Sequence, residues 1–171
     1  AVPCDVTAEH HVQRMLDAVR PLDVLLNNAG LGGTAELAEM TDEQWPKVLD
    51  VTLTGPMRCT REALRRMRLG ARGGAIVNNA SVIGWRAQVG QAHYAAAKAG
   101  VMALTRTAAV EAAAFGVRVN AVAPSLAMHE NLAKVTSDEL LAELTSREAF
   151  GRAAEPWEIA NIIVFLASDY A

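Results

Sequence analysis

The hydrophobic positions of this chain follow two patterns, one helical and one strand-like. Val12, Leu16 and Val19 recur at helical spacing, and Pro21 ends the run. Thr7 precedes this run and is of the residue type that caps helix N-termini. The pattern therefore predicts a first helix that Thr7 caps and that ends before Pro21.

Three other apolar runs are short and continuous rather than periodic. They are DVLLNNAG at 23–30, AIVNNAS at 75–81 and VRVNAVAP at 117–124. Continuous apolar runs of this length are typical of strands that are covered on both faces, as in parallel sheets. We expect each run to form a buried strand that leads into a loop.

Helical patterns separate these strands. Thr41 and Gln44 form a capping box that opens a long helix over 42–69. An alanine-rich helix is expected over 92–115, and Gly116 ends it.

Two further helices follow the third strand. Thr136 or Ser137 caps one that extends to about residue 147, and the segment EPWEIANIIVFLAS forms the last. Strands that alternate with helices predict the α/β class, with a doubly wound parallel sheet of the Rossmann type in one domain over 1–171.

Ligands of such sheets bind beyond the carboxyl ends of the strands. That rule selects Asn28, Ala29 and Gly30 after the first strand, the loop of Ser81 after the second, and Pro124 onward after the third. The polar candidates therefore fall on one edge of the predicted sheet.

Composition excludes several kinds of function. The chain has 171 residues, 20% of them charged, and a formal net charge of −3, which argues against nucleic-acid binding. No apolar run has the length of a transmembrane helix, and the first residues lack a signal-peptide pattern. Cys4 and Cys59 fit no metal or CxxC spacing, and the four histidines do not cluster with other ligands. We therefore expect reduced thiols, no metal site and a cytoplasmic location.

Tyr94 and Lys98 are the main candidates for chemistry. They are four residues apart and share one face of the predicted helix. Because an ammonium group favours a neighbouring phenolate, Lys98 is expected to lower the pKa of Tyr94 and to suit it to proton transfer. Ser81 supplies a hydroxyl that can polarise a carbonyl oxygen. The alternative is structural: a Tyr and a Lys partly exposed on a helix of small packing residues.

These motifs together resemble the short-chain dehydrogenase/reductase family. The resemblance extends from CDVT to the last helix. Within the family the chain looks closest to the 3-oxoacyl-thioester reductases, and it is also similar to members acting on CoA thioesters in actinobacterial steroid breakdown. The motifs that carry it are Asp5-Val6, Asn27-Asn28-Ala29-Gly30, Ser81, Tyr94-Ala95-Ala96-Ala97-Lys98, Asn120 with Pro124, and Gly151-Arg152 ahead of Pro156.

The resemblance implies a role for each motif. Tyr94 is implied to be the general acid/base, Lys98 to lower its pKa and hold the nicotinamide ribose, and Ser81 to bind the substrate carbonyl. The cofactor is NAD or NADP, and small residues allow its close approach to the backbone. Its implied binding residues, besides Tyr94 and Lys98, are Asp5, Val6, Asn28, Ala29, Gly30, Pro124, Leu126 and Ala127.

The chain departs from the family pattern in three ways. First, Thr52 stands where the family has an asparagine whose carbonyl holds a proton-relay water, and Pro56 has no N–H to bond that carbonyl. We hypothesise that Pro56 leaves the Thr52 carbonyl free for the relay; the alternative is that Pro56 only kinks the helix. Second, Ser125 and His129 replace a glycine and a cofactor-binding threonine.

Third, the family's first strand, its glycine-rich phosphate turn, its second strand and its last strand have no counterpart in these residues. We therefore expect part of a longer chain, with the strand at 23–28 open at one edge and the strand before Asp5 without a neighbour. The site for the cofactor pyrophosphate is expected outside this sequence.

The segments 82–93 and 126–150 are expected to bind substrate. Their apolar side chains suit an acyl or ring substrate, and their basic ones either meet carrier phosphates or form a solvated face. The apolar set is Val82, Ile83, Trp85, Leu126, Met128, Leu132, Leu140, Leu141 and Phe150; the basic set is Arg86, Lys134, Arg147 and the neighbouring Arg152.

The sequence therefore predicts an oxidoreductase that acts on a 3-oxoacyl thioester of acyl carrier protein or CoA. Two alternatives stay open: a steroid or polyol secondary-alcohol dehydrogenase, and a non-catalytic scaffold with a degraded cofactor site. By resemblance, the helices at 42–69 and 92–115 pair with partner copies in a homodimer or homotetramer. Ala99 and Ala103 either allow that approach or face the chain's own sheet. No nucleic-acid or membrane partner is expected.

Overall fold

The computed structural model describes residues 1–128, 132 and 137–171. Short 3₁₀ turns and one π-helical turn (Asp50–Thr54) accompany its main elements, which follow in this order: α1 (Glu9–Asp17), β1 (Val24–Asn27), α2 (Gln44–Leu49), α3 (Gly55–Gly70), β2 (Gly74–Asn79), α4 (Ala92–Ala112), β3 (Val117–Val122), α5 (Asp138–Ser146) and α6 (Pro156–Ala167). His129, Lys134 and Thr136, which the sequence analysis named, lie outside the described residues, as does part of 126–150.

The three strands form one parallel sheet in the order β1-β2-β3. Leu25 lies opposite Ile76, which in turn lies opposite Val119, so these side chains share one face of the sheet. The helices α3 and α4 connect consecutive parallel strands, and the predicted α/β class with a parallel sheet is confirmed.

The largest apolar cluster lies between that face and three helices. Val12 and Leu16 of α1 and Cys59 of α3 are each buried in it, beside residues of α4 and of all three strands. Cys4 packs against the same cluster, and both cysteines are free thiols. This burial fixes α1, α3 and α4 on one side of the sheet.

The opposite face is covered more narrowly. α6 packs on β2 and β3, and the Arg118 guanidinium donates to the carbonyl oxygens of Leu166 at 2.9 Å and Ser168 at 2.8 Å. Val24 and Leu26 of β1 remain 46% and 44% exposed. Within the described residues β1 is an edge strand, as the sequence analysis expected.

The strands are shorter than their apolar runs. β1 ends at Asn27 rather than Gly30, β2 at Asn79 and β3 at Val122, because the ladder stops where the chain turns into loops at the carboxyl edge. Residues 1–5 form no ladder with β1 or with another described strand, which agrees with the expectation that the segment before Asp5 has no neighbouring strand here.

The predicted cap of α1 is wrong. The Thr7 hydroxyl donates to Asp5 Oδ1 at 2.8 Å, and Ala8 occupies the cap position without a side-chain bond. Asp5 Oδ1 accepts from both the backbone N–H and the hydroxyl of Thr7, and these two bonds hold Thr7 in a local turn before the helix begins. Val19 lies beyond the end of α1 and is 45% exposed.

Other predicted boundaries are confirmed. Thr41 N donates to Gln44 Oε1 at 2.9 Å and Gln44 N to Thr41 Oγ1 at 3.3 Å, which is the expected capping box. Ser137 Oγ accepts from Leu140 N at 3.3 Å and is the cap of α5. Gly116, with a φ of 72°, ends the helical segment after α4.

The helix predicted over 42–69 is interrupted by the π-helical turn. The Gly55 N–H donates to the Asp50 carbonyl five residues earlier, so this turn holds one residue more than a regular α-helical turn. Pro56 follows directly and has no N–H for the Thr52 carbonyl. The widened turn therefore places Thr52 where the regular helical bond to its carbonyl is missing.

Over the described residues, none of the helices combines the length and apolar character needed to cross a bilayer.

Candidate active site

The loops that follow the three strands meet at one edge of the sheet. Ala80 N donates to the Val122 carbonyl at 2.8 Å, and Val82 N donates to the Pro124 carbonyl at 3.0 Å. Asn79 Nδ2 donates to Asn28 Oδ1 at 2.8 Å. Asn28, the loop of Ser81 and Pro124 are thereby brought together, as the carboxyl-edge rule predicts.

A buried polar layer lies directly beneath this edge. Asn27 Nδ2 donates to Asn78 Oδ1 at 2.7 Å and to Thr60 Oγ1 of α3 at 2.9 Å. Asn78 Nδ2 donates to Thr105 Oγ1 of α4 at 2.8 Å. Because buried amides are costly unless they are bonded, this layer fixes how α3 and α4 sit on the sheet.

Lys98 reaches the site from α4. Its side chain is buried, and Nζ donates to the Asn79 carbonyl at 2.5 Å. Burial disfavours the ammonium and lowers the pKa of Lys98 to about 8. Lys98 therefore remains mostly protonated at neutral pH but titrates within reach of it.

Tyr94 lies one turn earlier on α4, with Lys98 Nζ 5.5 Å from the centroid of its ring. Burial raises the pKa of Tyr94, and a hydrogen bond with the Ser81 side chain opposes that shift. This differs from the expectation that Lys98 lowers the pKa of Tyr94, because desolvation of the phenol is the largest cause of the shift. Ser81 itself is almost fully buried, and its hydroxyl accepts from Ile83 N at 3.3 Å.

Thr52 is fully buried beside this pair. Its hydroxyl accepts from Leu31 N at 2.8 Å and donates to the Leu31 carbonyl at 2.9 Å. A Cβ on Gly30 would lie 3.8 Å from Lys98 Nζ and 3.9 Å from Thr52 Oγ1, so Gly30 borders the same space. Thr52 thus holds the loop after β1 through its side chain, and the role of its carbonyl stays a prediction.

Asp5 and Val6 adjoin the site by way of the π-helical turn. Asp5 Oδ1 accepts from the backbone and hydroxyl of Thr7, and these two bonds lower the pKa of its carboxyl. The Val6 carbonyl accepts from Arg58 Nη1 at 3.4 Å, and the Val6 side chain packs against Gly55. This segment is therefore tied to the start of α3.

The chain after β3 is held by the turn that follows α5. The Leu126 carbonyl accepts from Ala154 N at 2.8 Å, and Ala127 forms a parallel bridge with Ala154. Ser125 Oγ donates to Glu148 Oε1 at 2.6 Å. Ser125, which replaces the family's glycine, thereby connects this loop to the segment 126–150, for which substrate binding remains a prediction.

The donors and acceptors at this edge fit the ribose hydroxyls of a nicotinamide cofactor. A hydroxyl both donates and accepts, and the site offers the Lys98 ammonium beside Asn79, whose buried Oδ1 has no partner in the described structure. Asn28, Ala29 and Gly30 are exposed at the same edge and leave the backbone accessible. None of the described residues is assigned to the pyrophosphate.

Sequence reasoning missed Asn79, Gln91 and His93. The sequence Asn-Asn-Ala occurs at the ends of both β1 and β2. With the strands in register, this repeat places the asparagines of one strand opposite those of the other, and it is the signal that could have indicated Asn79. Gln91 and His93 contact the loop after β1, and no sequence spacing indicates that contact.

Comparisons with known proteins place the chain among dehydrogenases and reductases. The profile of the family described as enoyl-(acyl carrier protein) reductase matches residues 1–171. A (5R,7aS)-5-hydroxy-7a-methyl-1-oxo-2,3,5,6,7,7a-hexahydro-1H-indene-carboxyl-CoA reductase from Mycobacterium tuberculosis is 60% identical over 99% of this chain and 66% of its own length. A 3-oxoacyl-(acyl-carrier-protein) reductase from Staphylococcus aureus is 39% identical over all of this chain and 70% of its own.

A solved structure agrees with these relatives. The crystal structure of a short chain dehydrogenase from Mycobacterium smegmatis superposes with a TM-score of 0.82 and 56% identity, over 98% of this chain and 62% of that one. The chain spans about two thirds of the length of the relatives it matches. From its profile, its relatives and its fold, this chain belongs to the short-chain dehydrogenase/reductase family.

Proposed function

We propose that the protein is a nicotinamide-dependent oxidoreductase that interconverts a carbonyl and a secondary alcohol. The observation that carries this proposal is that three side chains meet at the carboxyl edge: Ser81, which opposes the rise in the pKa of Tyr94, Tyr94 itself, and the buried ammonium of Lys98, whose Nζ lies 5.5 Å from the centroid of the Tyr94 ring. These are the groups that a carbonyl reduction needs: two hydroxyls to bind one oxygen, and a cation to stabilise the phenolate that remains.

Each residue has a defined part in the proton transfer. Ser81 donates to the carbonyl oxygen, and Tyr94 gives that oxygen its proton as the alcohol forms. Lys98 stabilises the resulting phenolate. A water held by the Thr52 carbonyl passes a proton to Lys98, by way of which Tyr94 regains the proton that it gave to the substrate. The bound nicotinamide supplies the hydride. In alcohol oxidation the same residues act in reverse order.

The proposed substrate is a 3-oxoacyl or ring-keto thioester of CoA or acyl carrier protein. The relative from M. tuberculosis is named for a CoA thioester, and the relative from S. aureus for a 3-oxoacyl group on its carrier protein. The segments 82–93 and 126–150 offer exposed aromatic side chains for such a group, since Trp85 is 70% and Phe150 is 90% exposed. Arg86 lies beside Trp85 and is the proposed contact for carrier phosphates.

The thioester assignment is tested with three forms of one keto substrate. We would measure kcat/KM of the complete protein for the CoA thioester, for a short thioester that lacks the nucleotide phosphates, and for the free keto acid. The proposal predicts the order CoA thioester, short thioester, free acid. A preference for the free acid would instead support a dehydrogenase of free secondary alcohols. Failure to bind NADH or NADPH in a titration would support the non-catalytic scaffold.

We also propose that α3 and α4 form the contact in a homodimer or homotetramer. Ala99 and Ala103 are both exposed on α4, so the alternative that they face the chain's own sheet is wrong. Val110 continues this surface and is 79% exposed. Beside it, α3 and α4 border a groove of about 440 Å³ that Leu64 and Leu104 help to line.

A further inference from the structure

The residue before Tyr94 is buried, polar and without a role in the proposed chemistry. His93 is 2% exposed and lies in the first turn of α4. Its Nδ1 accepts from the backbone N–H of Tyr94 at 2.9 Å. The first N–H groups of a helix have no partner within the helix, so this imidazole satisfies one of them at the proposed proton donor itself.

The ring of His93 is held from its other edge by the loop after β1. A Cβ built on Gly33 would lie 3.3 Å from His93 Nε2 and 3.8 Å from Cε1, so the ring packs closely against the Gly33 backbone. A Cβ on Gly32 would lie 4.0 Å from Cδ2 of Tyr94. The same loop therefore borders both rings.

That loop is fixed at both of its ends. Gln91 Nε2 donates to the Gly33 carbonyl at 2.8 Å, and Ala35 N donates to the Gly90 carbonyl at 3.0 Å. At the other end, Thr52 Oγ1 makes two bonds to the backbone of Leu31. The segment 31–35 consequently lies across the N-terminus of α4 in one position.

We propose that His93 is a positioning residue for Tyr94, held in place by Gln91 and the segment 31–35. This inference rests on the proposed function, because it gives His93 a role only if Tyr94 transfers the proton. The imidazole acts through the backbone: while Nδ1 holds the Tyr94 N–H, the phenol keeps its alignment with Ser81 and Lys98. A small misalignment of a reacting group is enough to lower turnover substantially.

Two substitutions that differ at the place of Nδ1 separate this role from simple packing. In His93→Asn the side-chain oxygen occupies the place of Nδ1 and can still accept, whereas in His93→Leu a methyl group occupies it. We expect His93→Leu to lower kcat about fivefold or more, with a smaller change in KM and an altered pH profile. His93→Asn should recover most of the lost kcat. The exchange rate of the Tyr94 amide hydrogen should rise in His93→Leu and stay closer to that of the parent in His93→Asn.

The role of Gln91 is tested with Gln91→Met, which keeps the length of the side chain and removes the donor. Its control is Gln13→Met on the exposed surface of α1. If both residues act through Gly33, the fold-loss in kcat of the double variant will be smaller than the product of the fold-losses of Gln91→Met and His93→Leu. Gln91→Met also serves as the test should His93→Leu fail to fold.

The results distinguish this inference from the proposed function. Tyr94→Phe with the parent's turnover would overturn both. Loss of activity in Tyr94→Phe together with a normal kcat, pH profile and amide exchange in His93→Leu would overturn the positioning role alone. Equal losses in His93→Asn and His93→Leu would show that the acceptor at the place of Nδ1 is not what His93 supplies, and would also overturn the positioning role.

Discussion

At the residue scale, the proposed site combines groups whose ionisation is set by burial. Burial raises the pKa of Tyr94 and lowers that of Lys98 to about 8, so both side chains are driven toward their neutral forms. The Ser81 hydroxyl opposes the first effect. The spacing of Tyr94 and Lys98 predicted that they meet, but not how deeply they are buried, and burial decides the direction of both shifts.

Removal of the Ser81 hydroxyl is therefore expected to have two effects. In Ser81→Ala the pKa of Tyr94 should rise, because the bond that lowers it is lost. The value of kcat/KM should fall about 100-fold, since one donor to the carbonyl oxygen is missing. The pH dependence of kcat/KM reports both. The control is Ser146→Ala, whose hydroxyl donates to the Glu143 carbonyl at the end of α5. An unshifted pH profile in Ser81→Ala would contradict the assignment.

The burial of Lys98 should also change how the free energy of unfolding depends on pH. Its pKa is near 10.5 in the unfolded chain and about 8 in the folded one, so between these values the unfolded state binds more protons. The free energy of unfolding should therefore rise as the pH rises from about 8 to 10.5. Below about pH 8 this stabilising contribution is absent, because Lys98 is charged in both the folded and the unfolded chain. We expect the free energy of unfolding to rise over this pH range in the parent but not in Lys98→Met, as measured by urea denaturation. Parallel curves for the two proteins would contradict the burial of an ammonium group.

At the element scale, local sequence signals predicted most of the fold. Apolar runs gave the three strands, and the capping box at Thr41 and the stop at Gly116 gave helix ends that the structure confirms. The predicted cap at Thr7 is wrong because two hydrogen bonds to Asp5 hold Thr7 in a turn ahead of the helix, which leaves Ala8 at the cap position. The π-helical turn was not predicted, although Pro56 indicated that one bond of a regular helix had to be missing.

The π-helical turn provides a test of the proposed relay. Pro56→Ala restores an N–H that can bond the Thr52 carbonyl and close the regular helix. We expect a lower kcat and an altered pH profile without loss of stability, because the carbonyl would no longer be free for water. The control is Pro46→Ala, in α2 of the same helical segment. An unchanged rate and profile in a stable Pro56→Ala protein would leave Pro56 as a simple irregularity of the helix.

At the scale of the whole molecule, two surfaces are less buried than their sequence suggests. One is the outer face of β1 with Val24 and Leu26, and the other is the exposed side of α4 with Ala99 and Ala103. Periodicity in the sequence shows that a helix carries small residues, but which side of it meets the sheet depends on the packing of β3. In the structure Val101 is the buried residue, whereas Ala99 and Ala103 lie on the exposed side of α4.

A bulky charged side chain on the exposed side of α4 should weaken the proposed contact between copies of the chain. Ala103→Glu is expected to shift the protein toward monomer, because two copies of α4 can no longer approach closely, and stability at low concentration should change little. Light scattering or sedimentation measures the mass directly. Ala18→Glu introduces the same charge on an exposed position at the end of α1 and should leave the mass unchanged. An unaltered oligomer in Ala103→Glu would exclude this surface as the contact.

The most direct test of the whole account is the turnover of Tyr94→Phe in the complete protein. The substitution removes one oxygen and keeps the ring beside Lys98, so NADH or NADPH binding serves as the control for folding. The account predicts retained cofactor binding with kcat lowered by at least about 100-fold for ketone reduction. Turnover equal to that of the parent would contradict the assignment of Tyr94 as the group that transfers the proton.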